Sequence, residues 1–302
     1  HTFRRPPKPA LKGVSGPKAE PYGGYDLKDG ALESYMNILV TNDDGIYSPG
    51  LRMLYSFVKD LGRVYVVAPE TPKSASGLGI TLHKPLRISK MELEGVQAYA
   101  TSGTPSDTVY LAALEIVDRI DLVLSGINVG DNTSLQVILS SGTIGAAMQA
   151  ALLGIPAFAF SVDVNEPEEL LEDPALISAI RNVAKTAVKF VAEFGMPKGV
   201  DVISLNFPRR FRPGAVVKLA PAAKVKFSQR VDKRRDPRGG IYYWLYGELV
   251  KAEPGTDVYI VHEEGDIALT PLSLNMNVLG SRQEADGAAL QKLVELLNRS
   301  IA

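Results

Sequence analysis

The chain contains no cysteine. That excludes disulfides, thiolate metal sites and cysteine nucleophiles, and it fits an intracellular protein. Histidine is almost as scarce: only His1, His83 and His262 occur, far apart in sequence. A Ser-His-Asp triad, a phosphohistidine intermediate or a histidine-rich zinc site therefore has no ready source. Charge of one sign is lacking too. The formal net charge of −1 gives no general pull toward nucleic acid or a membrane surface. No apolar run approaches the roughly 20 residues of a membrane-spanning helix. Nor does a Gly-x-Gly-x-x-Gly loop follow the first apolar run, which argues against a nicotinamide dehydrogenase. Carboxylates, hydroxyls, amides and backbone are left to carry any chemistry.

What is present is an ordinary globular composition. Of 302 residues, 45% are hydrophobic and 22% charged, enough for one large α/β domain. Residues 1–35 are rich in proline, glycine and lysine and show no sustained period, so they are expected to form a flexible leader or tail outside the fold. Residues 36–302 form the expected domain, and a cytoplasmic location is expected for it.

From Met36 the apolar pattern alternates between strand and helix. Strands are expected at Ile38–Thr41, Val64–Ala68, Asp121–Leu124, Ile155–Val162 and Val202–Asn206, with short extra strands at Leu86–Ile88 and Gln97–Ala100. Helices are expected at Gly50–Leu61, Ser106–Val117, Gly142–Leu153 and Pro174–Phe194. Such alternation implies a mostly parallel sheet flanked by helices. The C-terminal part changes character. Val216–Lys218, Gly240–Tyr246 and Asp257–Ile260 suggest β-hairpins, and Ala288–Arg299 reads as a closing amphipathic helix. The extension, from about residue 209, is expected to serve in oligomerisation.

The most informative stretch is Asn37 to Ile46. A short apolar strand ends in Asn42, Asp43, Asp44 and Gly45. Adjacent carboxylates near a core are costly unless a cation neutralises them. Ligands in open α/β sheets bind at this end of the strands. Two further segments, Ser74-Ala75-Ser76-Gly77 and Ser125-Gly126-Ile127-Asn128, also lie at expected strand ends. If the three ends meet, Asp43, Asp44, Ser74 and Asn128 form a hard, oxygen-rich site suited to Mg²⁺, Mn²⁺ or Ca²⁺. Gly45 would supply the bend that lets both aspartates reach one ion. Ser141, Gly142 and Thr143 open a small-residue helix whose positive end suits a phosphate. A dication beside such a pocket would activate water for phosphate-ester hydrolysis. The basic run from Lys224 to Arg238 reads as a solvated hairpin, and Tyr242, Tyr243, Trp244 and Tyr246 as core or interface packing.

These residues resemble the SurE, or survival-protein-E, family. The resemblance covers nearly everything after Met36 and rests on Ile38 to Ile46, Val66-Val67-Ala68-Pro69, Ser74-Ala75-Ser76-Gly77, Gly103-Thr104-Pro105, Ser125-Gly126-Ile127-Asn128, Ser141-Gly142-Thr143, Thr256-Asp257 and Thr270-Pro271-Leu272. It implies a Rossmann-like core and a metal-dependent phosphatase of nucleoside 5′-monophosphates, tolerant of other phosphomonoesters or short polyphosphate. It also implies metal ligands at Asp43, Asp44, Ser74 and Asn128, with Mg²⁺ or Mn²⁺ as the metal. Asp43 and Asp44 would be catalytic, and Asn42, Ser141, Gly142 and Thr143 would contact the phosphate or substrate. A homodimer or homotetramer would follow, with no membrane or nucleic-acid partner. Two positions depart from the family pattern: Ser140 stands where tyrosine is common, and Gln149 where glutamate is. A haloacid-dehalogenase-like mechanism is disfavoured, because its two aspartates are separated by one residue and these are adjacent. A non-catalytic nucleotide-binding protein is the alternative reading.

Overall fold

A computed structural model describes residues 36–276, together with Gln291, Lys292 and Val294. The expected leader lies outside the described residues, and of the expected closing helix only Gln291, Lys292 and Val294 lie within them, all helical.

The chain enters through β1 (Asn37–Thr41), α1 (Pro49–Val58) and β2 (Arg63–Pro69). Ser48 caps α1 by accepting the Leu51 N–H at 3.1 Å, and Pro49 sits in the first turn, where a missing N–H costs nothing. A hairpin follows, β3 (Ile88–Leu93) and β4 (Val96–Thr101), then α2 (Pro105–Leu111). Thr104 and Asp107 close a reciprocal capping box on α2. Next come β5 (Leu122–Val129), the single turn α3 (Leu135–Ile138), α4 (Gly142–Leu152) and β6 (Ala157–Val162). The core ends with α5 (Pro174–Phe194) and β7 (Val202–Phe207). The C-terminal part adds β8 (Val217–Leu219), β9 (Arg230–Arg235), β10 (Ile241–Tyr246), the short α6 (Asp257–Tyr259) and β11 (Ile267–Leu272).

Among the described residues, nine strands form one sheet in the order β3-β4-β2-β1-β5-β6-β7-β11-β8. From β4 to β7 every pairing is parallel, as the alternating pattern implied. Helices cover both faces, so the central strands are apolar on both sides. Ile38 and Val40 pack into the layer of α1 and α5, while Leu39 between them packs into the layer of α2 and α4. The chain leaves β1 toward β2 on one side and meets β5 on the other. The carboxyl ends of β1 and β5 therefore flank the point where strand order reverses, the place where such sheets open a crevice.

The C-terminal expectations need correction. Val217–Leu219 is an edge strand parallel to β11, not half of a hairpin. Asp257–Ile260 is helical: Thr256 caps it, Asp257 is fully buried, and a wider turn continues to Glu264. The β11 strand was not anticipated, because a proline at position 271 obscures it; Pro271 faces β7 within an antiparallel pair. The strand expected at Leu86–Ile88 begins only at Ile88 and runs to Leu93, since alternate polar residues on an exposed edge hide its period. The hairpin of β9 and β10 is present, and it pairs apart from the main sheet.

Candidate active site

The β1 strand delivers its acidic end into a sharp turn. Gly45 takes φ of +97°, a conformation that side chains resist, and this is the expected bend. Asn42 braces the turn. Its amide donates to the Gly45 carbonyl at 3.2 Å and to Ser48 Oγ at 2.7 Å, and its oxygen accepts the Gly45 N–H at 3.2 Å. Asn42 is fully buried, and both its donors are committed to the loop rather than offered to a ligand.

The twin aspartates diverge from that turn. Asp43 is buried and points at the N-terminus of α4, where the Thr143 hydroxyl donates to its Oδ1. The amides of Gly142 and Thr143 also face it and favour its charged form. Burial outweighs these donors, so the Asp43 carboxyl titrates above the usual carboxylate range. Asp44 accepts a long hydrogen bond, 3.4 Å, from the Val129 N–H at the end of β5. Burial, followed by the charge of Asp43, pushes its pKa up to about 6. Among the described residues, no lysine, arginine or histidine forms an ion pair with either aspartate.

The other expected strand ends come to the same rim. The Lys73 N–H donates to the Asp43 carbonyl at 2.7 Å, which fastens the loop carrying Ser74, and Ser74 lines one cleft with Asp44. Gly77 N–H bonds the Ser140 carbonyl at 2.9 Å, tying the same loop to the entry of α4. Asn128 donates its amide to the Gly130 carbonyl at 2.6 Å, which leaves its oxygen as the available acceptor. Gly142 is the tightest point: a Cβ there would stand 2.7 Å from both Asp43 Cβ and Ser76 Oγ. Ser141 is spent as the cap of α4, accepting the Ile144 N–H at 3.2 Å.

Two carboxylates of raised pKa, one buried and one half-buried, without a cationic partner among the described residues and beside neutral oxygen ligands, fit a hard divalent ion. The buried Ser76 hydroxyl adds a polar atom with no hydrogen-bond partner among the described residues. The family pattern fits as well: a profile described as Survival protein SurE matches residues 38–232, more than half of the chain. The chain belongs to the SurE family. A protein from Pyrobaculum arsenaticum named 5′-nucleotidase SurE is 58% identical over 266 residues, covering 88% of this chain and 100% of that one. Another of the same name, from Hyperthermus butylicus, is 62% identical and covers 82% of this chain and 88% of its own. A crystal structure of the SurE protein from Aquifex aeolicus superposes with a TM-score of 0.69 at 33% identity, covering 87% of this chain and 99% of that one.

Of the two departures from the SurE pattern, Ser140 is exposed and bonds back to the Val137 carbonyl at 3.1 Å. Gln149 is buried, and its amide nitrogen finds no partner among the described residues.

Sequence reasoning missed a second ionic cluster behind β5. Lys226, assigned to a solvated hairpin, is buried and pairs with Asp131. His262 lies 3.3 Å from Asp131 and 3.6 Å from Asp163. Burial pushes the Asp131 carboxyl up, but the adjoining His262 imidazole and the Lys226 ammonium pull it well below the usual carboxylate range. Donor atoms of Asp131, Asp163 and His262 lie within 4.8 Å of one another, so they too could hold a metal ion. Asp131 already carries an ammonium group, however, whereas Asp43 and Asp44 carry none. No local pattern announces this cluster, because its members come from four separate segments.

Proposed function

We propose that this SurE-family chain is a metal-dependent 5′-nucleotidase, hydrolysing nucleoside 5′-monophosphates to nucleoside and phosphate, with tolerance for other phosphomonoesters or short polyphosphate. The observation that carries the reading is an adjacent pair of aspartates with no cationic partner among the described residues, Asp43 buried against the N-terminus of α4 and Asp44 half-buried beside it. The names of the relatives support it independently.

Asp43, Asp44, Ser74 and the Asn128 oxygen are the residues that would hold Mg²⁺ or Mn²⁺. When bound, the ion supplies Lewis-acid polarisation of a phosphoryl oxygen and acidity to a water. The chain's own contribution is orientation and charge. Thr143 and the first amides of α4 hold Asp43 in place, and the positive end of the helix favours a phosphoryl group beside it. The Val129 N–H holds Asp44. Asn42 and Gly45 fix the turn so that both carboxylates keep their positions without reorganisation.

The arm of β9 and β10 supports assembly into a homodimer or homotetramer. Tyr243, Trp244 and Leu245 are 59%, 60% and 85% exposed, an unusual outlay of apolar surface for a strand facing water.

The test is phosphate release from a panel of nucleoside monophosphates with Mg²⁺, Mn²⁺ or EDTA. Turnover is expected with either metal and not with EDTA, and Asp43→Asn should abolish it while circular dichroism stays unchanged. Nucleotide binding without metal-stimulated turnover would replace this reading with that of a non-catalytic binding protein.

A further inference from the structure

The two aspartates face different spaces. Asp43 is enclosed by the α4 entry, on the side that suits phosphate. Asp44 lines a cleft of about 520 Å³, within the range of small-molecule sites. Asp44 and Ser74, two of the residues that would hold the metal, both line this cleft, so it adjoins the place where the phosphate would sit.

The cleft's walls are suited to a nucleoside. Tyr47 lines it and is 65% exposed, with Pro72 and Pro167 as further apolar surface. An exposed aromatic ring beside prolines offers a flat face to a base. Glu70 is also exposed in the wall, and its carboxylate makes no hydrogen bond or ion pair to any described residue. Its backbone is fixed: the Glu70 N–H donates to the Thr101 carbonyl at 2.8 Å. Glu70 directly follows β2, the neighbour of β1 in the sheet. Dinucleotide-binding sheets place an acidic residue about 20 positions beyond their glycine-rich turn on the ribose 2′-hydroxyl; this chain lacks that turn, and Glu70 shares only the place at the end of the strand beside β1. A free carboxylate there is matched to a vicinal diol, which presents two donors side by side.

We propose that this cleft seats the nucleoside half of the substrate, with Glu70 accepting from the ribose 2′- and 3′-hydroxyls and Tyr47 stacking on the base. The inference rests on the nucleotidase reading and adds which residues would select a ribonucleotide. Neither residue touches the reacting phosphate, so both act on substrate selection and KM.

Four substrates separate the two contacts: adenosine 5′-monophosphate, its 2′-deoxy analogue, ribose 5-phosphate and phenyl phosphate. Glu70→Ala is expected to lower kcat/KM at least about tenfold for adenosine monophosphate and ribose 5-phosphate, mostly through KM, as both hydrogen bonds to the charged group are lost. The deoxy analogue should lose less, and phenyl phosphate nothing. Glu70→Gln, which keeps one acceptor, should restore part of the loss. Tyr47→Ala should raise KM for both adenine nucleotides and leave ribose 5-phosphate unchanged, while Tyr47→Phe behaves as wild type. Equal losses on all four substrates, or none on any, would overturn the proposal while leaving a working nucleotidase. A wild-type enzyme inactive on all four with Mg²⁺ and Mn²⁺ would sink the parent reading and this one together.

Discussion

The Thr143 hydroxyl donates to Oδ1 of Asp43, joining residues 100 positions apart and locking the strand-end carboxylate to the first turn of α4. Asp43 would otherwise be a buried charge opposed by desolvation, so this contact holds both its rotamer and its ionisation.

Replacing Thr143 by valine keeps the shape and removes the donor. The Asp43 carboxyl should then titrate higher still and bind metal less readily. We expect the Mn²⁺ concentration for half-maximal activity to rise about tenfold, the equivalent of one hydrogen bond to a charged group. An activity titration against Mn²⁺ checks this, and a superimposable curve counts against it.

The raised pKa of Asp44 couples stability to pH. Its folded value of about 6 exceeds the ordinary 3.8. Between those values the folded chain holds a proton that the unfolded chain releases, so stability falls as pH rises through about 6. A dication removes that cost by pairing the exposed charge. Adding Mn²⁺ should therefore raise Tm clearly at pH 7.5 and little at pH 5, as scanning calorimetry with and without metal can show. Equal shifts at both pH values would contradict the sign.

Gly142→Ala tests how closely α4 approaches Asp43. The new Cβ must displace Asp43 or Ser76, since it would stand 2.7 Å from each. Alanine is otherwise favourable in a helix, so the fold should survive. A displacement of about 1 Å at a reacting centre costs on the order of 100-fold in rate. We expect that loss in kcat with a Tm within a few degrees of wild type, and unchanged kcat would show that the contact is loose.

Lys226→Met strands Asp131 in the interior. Removing one partner of a buried pair costs about 3–5 kcal/mol. Denaturant unfolding should register a loss of that order, with part of it recovered in Lys226→Met/Asp131→Leu. A single variant as stable as wild type would mean that water or His262 satisfies Asp131 alone.

Much of the parallel core was legible because its signals are local. Apolar runs closed by Pro69 or by Asn42 and Asp43 mark strand ends, and the helix at Pro174–Phe194 has the expected bounds. Segments with mixed signals failed. Asp257 to Ile260 looked like a strand by its β-branched and aromatic residues, yet Thr256 caps a helix there and the buried Asp257 bonds the Ser134 and Ala223 amides at 2.8 Å each. At the site, Asp43 and Asp44 stood out by adjacency alone. Asn42 was given a ligand-facing role, although its partners Gly45 and Ser48 bind it inward. His262 was set aside as isolated, yet it lies against Asp131 and Asp163.

The sequence by itself determined that a buried strand would end in two carboxylates, that hydroxyl- and amide-bearing turns would end other strands, and that no thiol or histidine cluster was available. Those are properties of near neighbours, set by side-chain period and turn chemistry. Only the tertiary structure decided that Asp43 faces α4 while Asp44 faces a cleft, that Glu70 and Tyr47 border that cleft, and that Lys226 is interior. The order of strands in the sheet fixes which distant ends become neighbours, and no window of sequence encodes that order locally.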